Sequence, residues 1–222
     1  MAPHQTSGLN SERAQRRALL HGIYVIVNEG EDDPVSVARA ALAGGVRIIQ
    51  YRAKHGIDAG NLRAIREATI NHDALLIVND DWRAAVIFDC DGVHLGPDDQ
   101  GFANVTPIRA ALGLRLIGLS CGTVEEATST AAMDIDYLGV GAVYATSSKA
   151  DAGDPIGISG LRAVAAAARV PVAAIGGVNA ANISDVRASG VAMAAVISAV
   201  GAAPSPEAAA ATLVARWNEP YA

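Results

Sequence analysis

Aromatic side chains are scarce in this chain: two tryptophans, five tyrosines and two phenylalanines make up 4% of its 222 residues. Hydrophobic residues nevertheless make up 51% of the sequence, so alanine, valine, isoleucine and glycine carry the apolar content. An all-β domain would usually contain more aromatic and threonine residues. The composition instead favours many parallel strands backed by alanine-rich helices.

Membrane and nucleic-acid signals are also missing. The chain has no apolar run of about 18 residues, the length at which a transmembrane helix is expected. It carries a net charge of -6 and no basic patch with interleaved aromatics, so nothing indicates nucleic-acid binding. The N-terminus is polar, and its short apolar run ends at His21 and Gly22, unlike a signal peptide. The expected partners are therefore small molecules, neither nucleic acid nor a membrane.

Cysteine is limited to Cys90 and Cys121, which lack the close spacing of a metal site. Two reduced, partly buried thiols are typical of a cytoplasmic protein, which is the location we expect. Cys121 lies near a predicted strand end, so we expect it to border the site without acting in it.

Short β-rich runs alternate with longer alanine-rich runs along the chain. This order predicts eight consecutive β/α units and leaves no gap for a second domain. We therefore expect an α/β fold: a single (β/α)8 TIM barrel over residues 21–222, preceded over residues 1–20 by an N-terminal arm or short helix. A doubly wound sheet is the alternative, although no Gly-x-Gly-x-x-Gly motif follows the first strand. The predicted strands are Ile23–Asn28, Val46–Tyr51, Ala74–Val78, Gly92–Leu95, Arg115–Leu119, Tyr137–Val140, Val172–Ile175 and Val191–Ile197.

Polar residues at the carboxyl ends of barrel strands are the candidates for chemistry. After the second strand, Gln50, Arg52 and Lys54 alternate along an extended segment, which puts them on one face. Tyr51 and Ala53 face the other way. Arginine binds phosphate oxygens through two N–H groups and lysine adds a point charge, so this face predicts an anion site. The alternative is a set of solvated charges at a strand end.

Two aspartates follow adjacent predicted strands, Asp80 after the third and Asp99 after the fourth. Two carboxylates beside a basic cluster suit Mg2+ bound together with substrate phosphates. The alternatives are a helix cap for Asp80 and a turn for Asp99. Asn79 adds an amide that can donate to an anion or stabilise a turn. For His94, at the end of strand four, a packing role and a general-base role are both open.

Hydroxyls, a lysine and glycines follow the later strands. Thr146, Ser148 and Lys149 form an anion-binding set on a long loop that is able to close over a substrate. Gly176 and Gly177 allow backbone N–H groups to approach a phosphate, and TIM barrels often bind phosphate after strands seven and eight. A surface loop and a tight turn are the alternatives. Two anion sites at one barrel mouth indicate a reaction with two phosphorylated substrates.

Over nearly its whole length, from about Ile23 to Val200, the chain resembles the thiamine phosphate synthase family. Several separate motifs occur in the family's order, which is far more specific than any one of them. The matching stretches are Ile49–Lys54, Val78–Asp80, Asp91–Gly96 with Asp99, Ile117–Ser120, Tyr137–Gly141 with Thr146–Lys149, and Ala174–Val178.

The resemblance implies a transferase of thiamine biosynthesis with Mg2+ as its cofactor. Its substrates would be 4-amino-2-methyl-5-hydroxymethylpyrimidine pyrophosphate and 4-methyl-5-(2-hydroxyethyl)thiazole phosphate. Pyrophosphate leaves to give a pyrimidine carbocation, which the thiazole nitrogen attacks. Such chemistry needs no side-chain nucleophile, so the protein's work is to position both substrates and stabilise the departing pyrophosphate.

The same resemblance implies roles for individual residues. Asp80 and Asp99 would hold Mg2+. The substrate-binding residues would be Gln50, Arg52, Lys54 and Asn79 for the pyrimidine pyrophosphate, Ser120 and Lys149 for the pyrophosphate, Thr146 and Ser148 for the thiazole phosphate, and Gly177, Ile197 and Ser198 for a second phosphate cradle. The residues expected to contribute most to catalysis are Arg52, Lys54, Ser120 and Lys149.

Five positions depart from the family pattern without removing a proposed ligand. Tyr51 stands where a smaller or aliphatic residue is common, and Ala53 stands where an acid is common. Pro97-Asp98 replaces Gln-Glu, and Ser148 replaces a threonine but keeps its hydroxyl. These changes bear on pocket shape and rate more than on the reaction.

Three other functions stay open. A related thiazole tautomerase shares the barrel but isomerises its substrate without a full pyrophosphate and Mg2+ set; the retained Arg52, Lys54, Asp80, Asp99 and Lys149 favour the synthase. A non-catalytic barrel would bind thiazole phosphate without making a product. Another phosphate-handling barrel would need a dedicated acid–base pair. The sequence allows a homo-oligomer but does not give the oligomeric state.

Overall fold

Eight parallel strands close into one barrel in a computed structural model that describes residues 6–30, 33–146 and 154–220. Each strand pairs with the next along the chain, and the last pairs with the first. The predicted α/β (β/α)8 TIM barrel is confirmed. The strands are β1 Gly22–Asn28, β2 Ile48–Arg52, β3 Leu75–Asn79, β4 Gly92–Leu95, β5 Leu116–Cys121, β6 Tyr137–Val140, β7 Val172–Ala174 and β8 Met193–Val196.

Helices connect these strands and surround the barrel. Several begin at a side-chain cap: Asp33 accepts from the backbone N–H groups of Val35 and Ser36, and Thr123 forms a reciprocal capping box with Glu126. The α-helices of the described residues are α1 Thr6–Ala18, α2 Pro34–Ala43, α3 Ala59–Ile70, α4 Trp82–Ile87, α5 Thr106–Leu112, α6 Val124–Ser129, α7 Gly157–Ala167, α8 Ile183–Ala188, α9 Ser198–Gly201 and α10 Pro206–Asn218, with a 3-10 turn at Thr130–Ala132.

Some strand ends differ from the sequence prediction. The second strand extends to Arg52, the third to Asn79 and the fifth to Cys121. The eighth was predicted to reach Ile197 but ends at Val196, because Ile197 is the N-cap residue of the unpredicted helix α9. Strand pairing, rather than a loop, therefore fixes the backbone of several site residues.

Side chains along the strands alternate between two apolar cores. The outer core lies between strands and helices and includes Tyr51, Val78 and Leu119. The inner core fills the barrel with Leu20, which lies between α1 and β1, and with apolar residues from most strands. It contains Leu20, Tyr24, Ile26, Ile48, Leu75, Ile77, Leu116, Tyr137, Ala173, Met193 and Ala195.

Helix α1 is attached to the barrel by ion pairs. Arg13 donates to Asp136 at 2.8 Å, and Arg16 donates to Asp91 at 3.3 Å. Asp91 and Asp136 immediately precede β4 and β6, so α1 lies at the amino ends of the strands, opposite the barrel mouth. Within the described ranges, no helix is long and apolar enough to cross a membrane.

Candidate active site

A cavity of about 350 Å³ opens at the carboxyl ends of strands β5 to β8. It brings together five residues that the sequence assigned to phosphate binding, although they span almost 80 positions of the chain. They are Ser120, Thr146, Gly177, Ile197 and Ser198. Ser148 and Lys149, predicted for the same site, lie outside the described residues.

The predicted pyrimidine pyrophosphate residues of β2 lie on the other side of the mouth and do not line this cavity. Gln50 and Arg52 are buried, with 2% and 8% of their surfaces exposed. Arg52 donates from Nη1 to Asn28 Oδ1 at 3.1 Å. Tyr51 packs in the outer core, as strand alternation requires, and Lys54 is exposed just beyond the strand.

The two candidate metal ligands flank the end of β4. Asn79 pairs with His94 in the β3–β4 ladder, and the Asp80 N–H continues it by donating to the His94 carbonyl at 2.8 Å. Asp99 folds back so that its Oδ2 accepts from the Gly96 N–H at 2.6 Å. Asp80 has a φ of 66°, a left-handed conformation that costs a non-glycine residue about 1–2 kcal/mol.

The helix cap considered for Asp80 belongs instead to its neighbour. Asp81 is the N-cap of α4, and its Oδ1 accepts from the Ala84 N–H at 2.9 Å.

The donor set at Asp80 and Asp99 fits a hard cation that keeps other oxygen ligands. Among the residues that the structure describes, no three His, Cys, Asp or Glu side chains meet as an all-protein metal cage. Mg2+ is usually held by one or two carboxylates together with water and substrate phosphates. Two carboxylates beside a predicted pyrophosphate site match that pattern.

Gly177 is required by packing as well as by backbone conformation. Its φ is 65°, and a Cβ there would lie 2.7 Å from both the Ala145 carbonyl oxygen and the Tyr144 Cβ. The Gly177 carbonyl also accepts from Asn182 Nδ2 at 2.9 Å. The segment after β7 is thus held tightly against the segment after β6, both at the cavity wall.

Two tyrosines that the sequence did not single out lie beneath the site. Tyr24 and Tyr137 are buried in the inner core, and their burial raises the pKa of both hydroxyls. His94 contacts the Tyr137 hydroxyl and the Ser120 hydroxyl, each at 3.1 Å. His94 is therefore a hydrogen-bonded interior residue. Tyr24 and Asn28 are an even number of residues apart on β1, so their side chains lie on the same face of the strand. This alternation is the sequence signal that would have indicated that Tyr24 points inward.

Cys121 borders the cavity, as expected. Burial raises the pKa of its thiol to about 11, and the Sγ donates to the Thr123 carbonyl at 3.3 Å. A thiol with this pKa is almost wholly protonated near neutral pH, so Cys121 is not an activated nucleophile.

Comparison with known proteins decides the family. The family profile described as thiamine monophosphate synthase matches residues 23–200. The chain belongs to this family. A thiamine-phosphate synthase of Anaeromyxobacter dehalogenans is 44% identical over 211 residues, which cover 94% of this chain and 93% of the relative. One from Moorella thermoacetica is 42% identical over 200 residues, covering 86% of this chain and 93% of the relative.

A solved structure supports the same assignment. The thiamine phosphate pyrophosphorylase of Pyrococcus furiosus superposes with a TM-score of 0.79 and 33% sequence identity, covering 92% of this chain and 97% of that protein. The family resemblance predicted from the sequence motifs is thereby confirmed.

Proposed function

We propose that this family member joins 4-amino-2-methyl-5-hydroxymethylpyrimidine pyrophosphate to 4-methyl-5-(2-hydroxyethyl)thiazole phosphate, giving thiamine phosphate and pyrophosphate. Its relatives named thiamine-phosphate synthase match most of the chain. The observation that carries the proposal is that two different polar sets face one barrel mouth. Buried Arg52 on β2 forms one set with the carboxylates of Asp80 and Asp99, which follow β3 and β4. Hydroxyl groups and glycine backbone at the ends of β5 to β8 form the other. Two sets suit two phosphorylated substrates.

The residues of β2 and β3 would bind the pyrimidine pyrophosphate. Arg52 is buried and its guanidinium is oriented by Asn28, so it can meet the developing negative charge without reorganising. Lys54, at the exposed end of the segment, adds a second positive charge. Gln50 and Asn79 contribute amides, and Ser120 contributes a hydroxyl from the facing strand.

The opposite wall would bind the thiazole phosphate. Thr146 provides a hydroxyl beside the cavity, and Gly177, Ile197 and Ser198 line its β7–β8 side. TIM barrels commonly bind phosphate in this position. Ser148 and Lys149 keep the roles that the family resemblance assigned to them, as part of the proposal. Holding both substrates in this way converts a two-body reaction into one within a single complex.

Asp80 and Asp99 would hold Mg2+ in this proposal. When bound, the ion neutralises charge on the pyrophosphate as it leaves. The side chains of the protein then only position the pyrimidine carbocation and the thiazole nitrogen, and no residue needs to act as a nucleophile. A cytoplasmic location and a homo-oligomeric assembly stay predictions from the sequence.

A product assay tests the proposal. Purified protein is mixed with both substrates, with Mg2+ or with EDTA, and thiamine phosphate and pyrophosphate are quantified by chromatography. We expect both products in equal amounts, formed only with Mg2+. A folded protein that isomerises a thiazole phosphate but makes no thiamine phosphate would instead be a tautomerase. One that binds thiazole phosphate without turnover would be a binding protein.

A further inference from the structure

A chain of four hydrogen bonds crosses the barrel interior from β2 to β5. Gln50 Nε2 donates to the Tyr24 hydroxyl at 2.6 Å, and the Tyr24 and Tyr137 hydroxyls lie 3.0 Å apart. The Tyr137 hydroxyl lies 3.1 Å from His94 Nδ1, and His94 Nε2 lies 3.1 Å from Ser120 Oγ. The two residues at the ends of this hydrogen-bond chain, Gln50 and Ser120, are both assigned to the pyrimidine pyrophosphate site.

The chemistry of the groups gives this chain a direction. An amide nitrogen only donates, so the Tyr24 hydroxyl accepts from Gln50. Tyr24 then donates to Tyr137, because the reverse order would leave the buried Tyr24 hydrogen without an acceptor among the described residues. Tyr137 then donates to His94 Nδ1, because each tyrosine hydroxyl carries one hydrogen. A neutral imidazole whose Nδ1 accepts must carry its hydrogen on Nε2. That hydrogen is donated to Ser120 Oγ.

The hydroxyl hydrogen of Ser120 is consequently directed away from His94. Ser120 lines both the large mouth cavity and a small cavity of about 20 Å³ that Tyr24, His94 and Tyr137 also line. It therefore stands at the boundary between the interior chain and the substrate site. The direction of the chain leaves Ser120 as a donor toward the mouth, which is what a phosphate oxygen requires.

Two glycines on neighbouring strands make room for the rings of this chain. A Cβ on Gly118 would lie 2.1 Å from Tyr137 Cζ, and a Cβ on Gly139 would lie 2.8 Å from His94 Cε1. The Tyr24 and Tyr137 rings meet edge to face, with centroids 6.1 Å apart. Because the rings are packed so closely, their polar atoms have little freedom to turn away from one another.

We propose that Tyr24, Tyr137 and His94 are positioning residues that hold the Ser120 hydroxyl as a hydrogen-bond donor to the departing pyrophosphate. They act through Ser120 and do not touch the reacting atoms. The inference rests on the proposed function, since it names a pyrophosphate as the group that Ser120 meets. A donor aimed where charge develops acts mainly on the chemical step, so its loss lowers kcat more than it raises KM.

A double-mutant cycle tests this coupling. Tyr137→Phe keeps the ring but removes the hydroxyl, and Ser120→Ala removes the donor itself. We expect each variant to lower kcat about tenfold with little change in the KM for thiazole phosphate. The double variant should be no slower than Ser120→Ala alone, because both substitutions abolish the same hydrogen-bond donation by Ser120. Effects that multiply in the double variant would overturn the proposal.

Tyr51→Phe is the matched control for the cycle. Tyr51 is fully buried, like Tyr137, and Tyr51→Phe also removes a hydrogen-bonded hydroxyl. Tyr51 lies in the outer core, however, away from the hydrogen-bond chain. Its effect should therefore multiply with that of Ser120→Ala. If Tyr51→Phe were as non-additive as Tyr137→Phe, the coupling would report general loosening and the proposal would fail.

The tautomer of His94 provides a test that needs neither activity nor a folded variant of the tyrosines. In 15N-histidine-labelled wild-type protein, the ring nitrogen shifts distinguish the two neutral forms, and comparison with His94→Gln assigns the signal. The proposal predicts hydrogen on Nε2; hydrogen on Nδ1 would overturn it. Wild-type protein that makes no thiamine phosphate would refute the proposed function, whereas active wild type with an additive cycle would refute only the positioning role.

Discussion

The Arg52 guanidinium donates to the Asn28 side-chain oxygen at 3.1 Å, between two residues that face each other at the ends of β1 and β2. Arg52 is buried with 8% of its surface exposed. A buried cation keeps its orientation through such contacts, and an oriented guanidinium is what binds a pyrophosphate with two parallel N–H groups. We therefore add Asn28 to the proposed pyrimidine pyrophosphate site, although the sequence motifs did not indicate it.

Asn28→Ala should weaken the pyrophosphate end of the site. A hydrogen bond to a charged group contributes about 1.5–3 kcal/mol, so we expect kcat/KM for the pyrimidine pyrophosphate to fall about tenfold or more. Steady-state kinetics at saturating thiazole phosphate measures it. Asn71→Ala, at the C-cap of α3 and the opposite end of the barrel, is the control. Equal kinetics for Asn28→Ala and wild type would remove Asn28 from the site.

A side chain at Gly177 should disrupt the thiazole phosphate wall. Gly177→Ala combines a φ of 65° with a Cβ 2.7 Å from the Ala145 carbonyl. Gly190→Ala carries the same kind of φ, 89°, with no atom within 4 Å of its Cβ. Both variants should lose about 1 kcal/mol of stability from backbone strain. Only Gly177→Ala should also raise the KM for thiazole phosphate, by about tenfold. Equal KM values for Gly177→Ala and Gly190→Ala would show that the close contact at Gly177 does not affect thiazole phosphate binding.

The sequence predicted the barrel well because each β/α unit carries local signals. Short apolar runs followed by alanine-rich stretches predict β2 and β3 from the local sequence alone, without information about residues far away in the sequence. The network under the site carries no such signal. Tyr24 and Tyr137 are 113 residues apart, and only closure of the barrel brings them together. Helix α9 was missed because Val191–Ile197 is apolar throughout, and a continuous apolar run does not show where a strand ends.

Removing the buried carboxylate at the barrel bottom should cost stability. Asp136 is fully buried and accepts from Arg13, from Arg109 at 2.7 Å, and from the Ile117 N–H at 2.9 Å. Breaking a buried ion pair by removing one partner costs about 3–5 kcal/mol, so we expect Asp136→Asn to lose about 3 kcal/mol. Urea unfolding measures it. A loss below about 1 kcal/mol would contradict the role of Asp136 as the anchor of α1.

Asp134→Asn is the matched control, because its side chain is 58% exposed and meets the same Arg13. We expect a loss of at most about 1 kcal/mol. The hydrogen bond from Arg13 lowers the pKa of Asp134. A lowered pKa gives stability that is present above the unfolded pKa and is lost as the pH falls through the folded value. The small difference between wild type and Asp134→Asn should therefore begin to shrink below about pH 4 and vanish only once the pH is below the lowered folded pKa.

Cys121 should react slowly with thiol reagents despite lying at the cavity. With a pKa of about 11, roughly one thiol in a thousand is ionised at pH 8. The rate of iodoacetamide labelling of the folded protein should rise about tenfold per pH unit from pH 8 to 10. Mass spectrometry of wild type and Cys121→Ser assigns the label. Labelling that levels off near pH 8.5 would show an ordinary, exposed thiol.

The Mg2+ dependence of thiamine phosphate formation tests the central claim most directly. It is compared in wild type, Asp80→Asn, Asp99→Asn and the control Asp98→Asn, whose exposed carboxylate is adjacent in sequence. We predict no product with EDTA, an apparent Mg2+ affinity about tenfold or more weaker in the Asp80 and Asp99 variants, and an unchanged affinity in Asp98→Asn. Product that forms equally well in EDTA, or Asp80 and Asp99 variants with the Mg2+ dependence of wild type, would contradict the account.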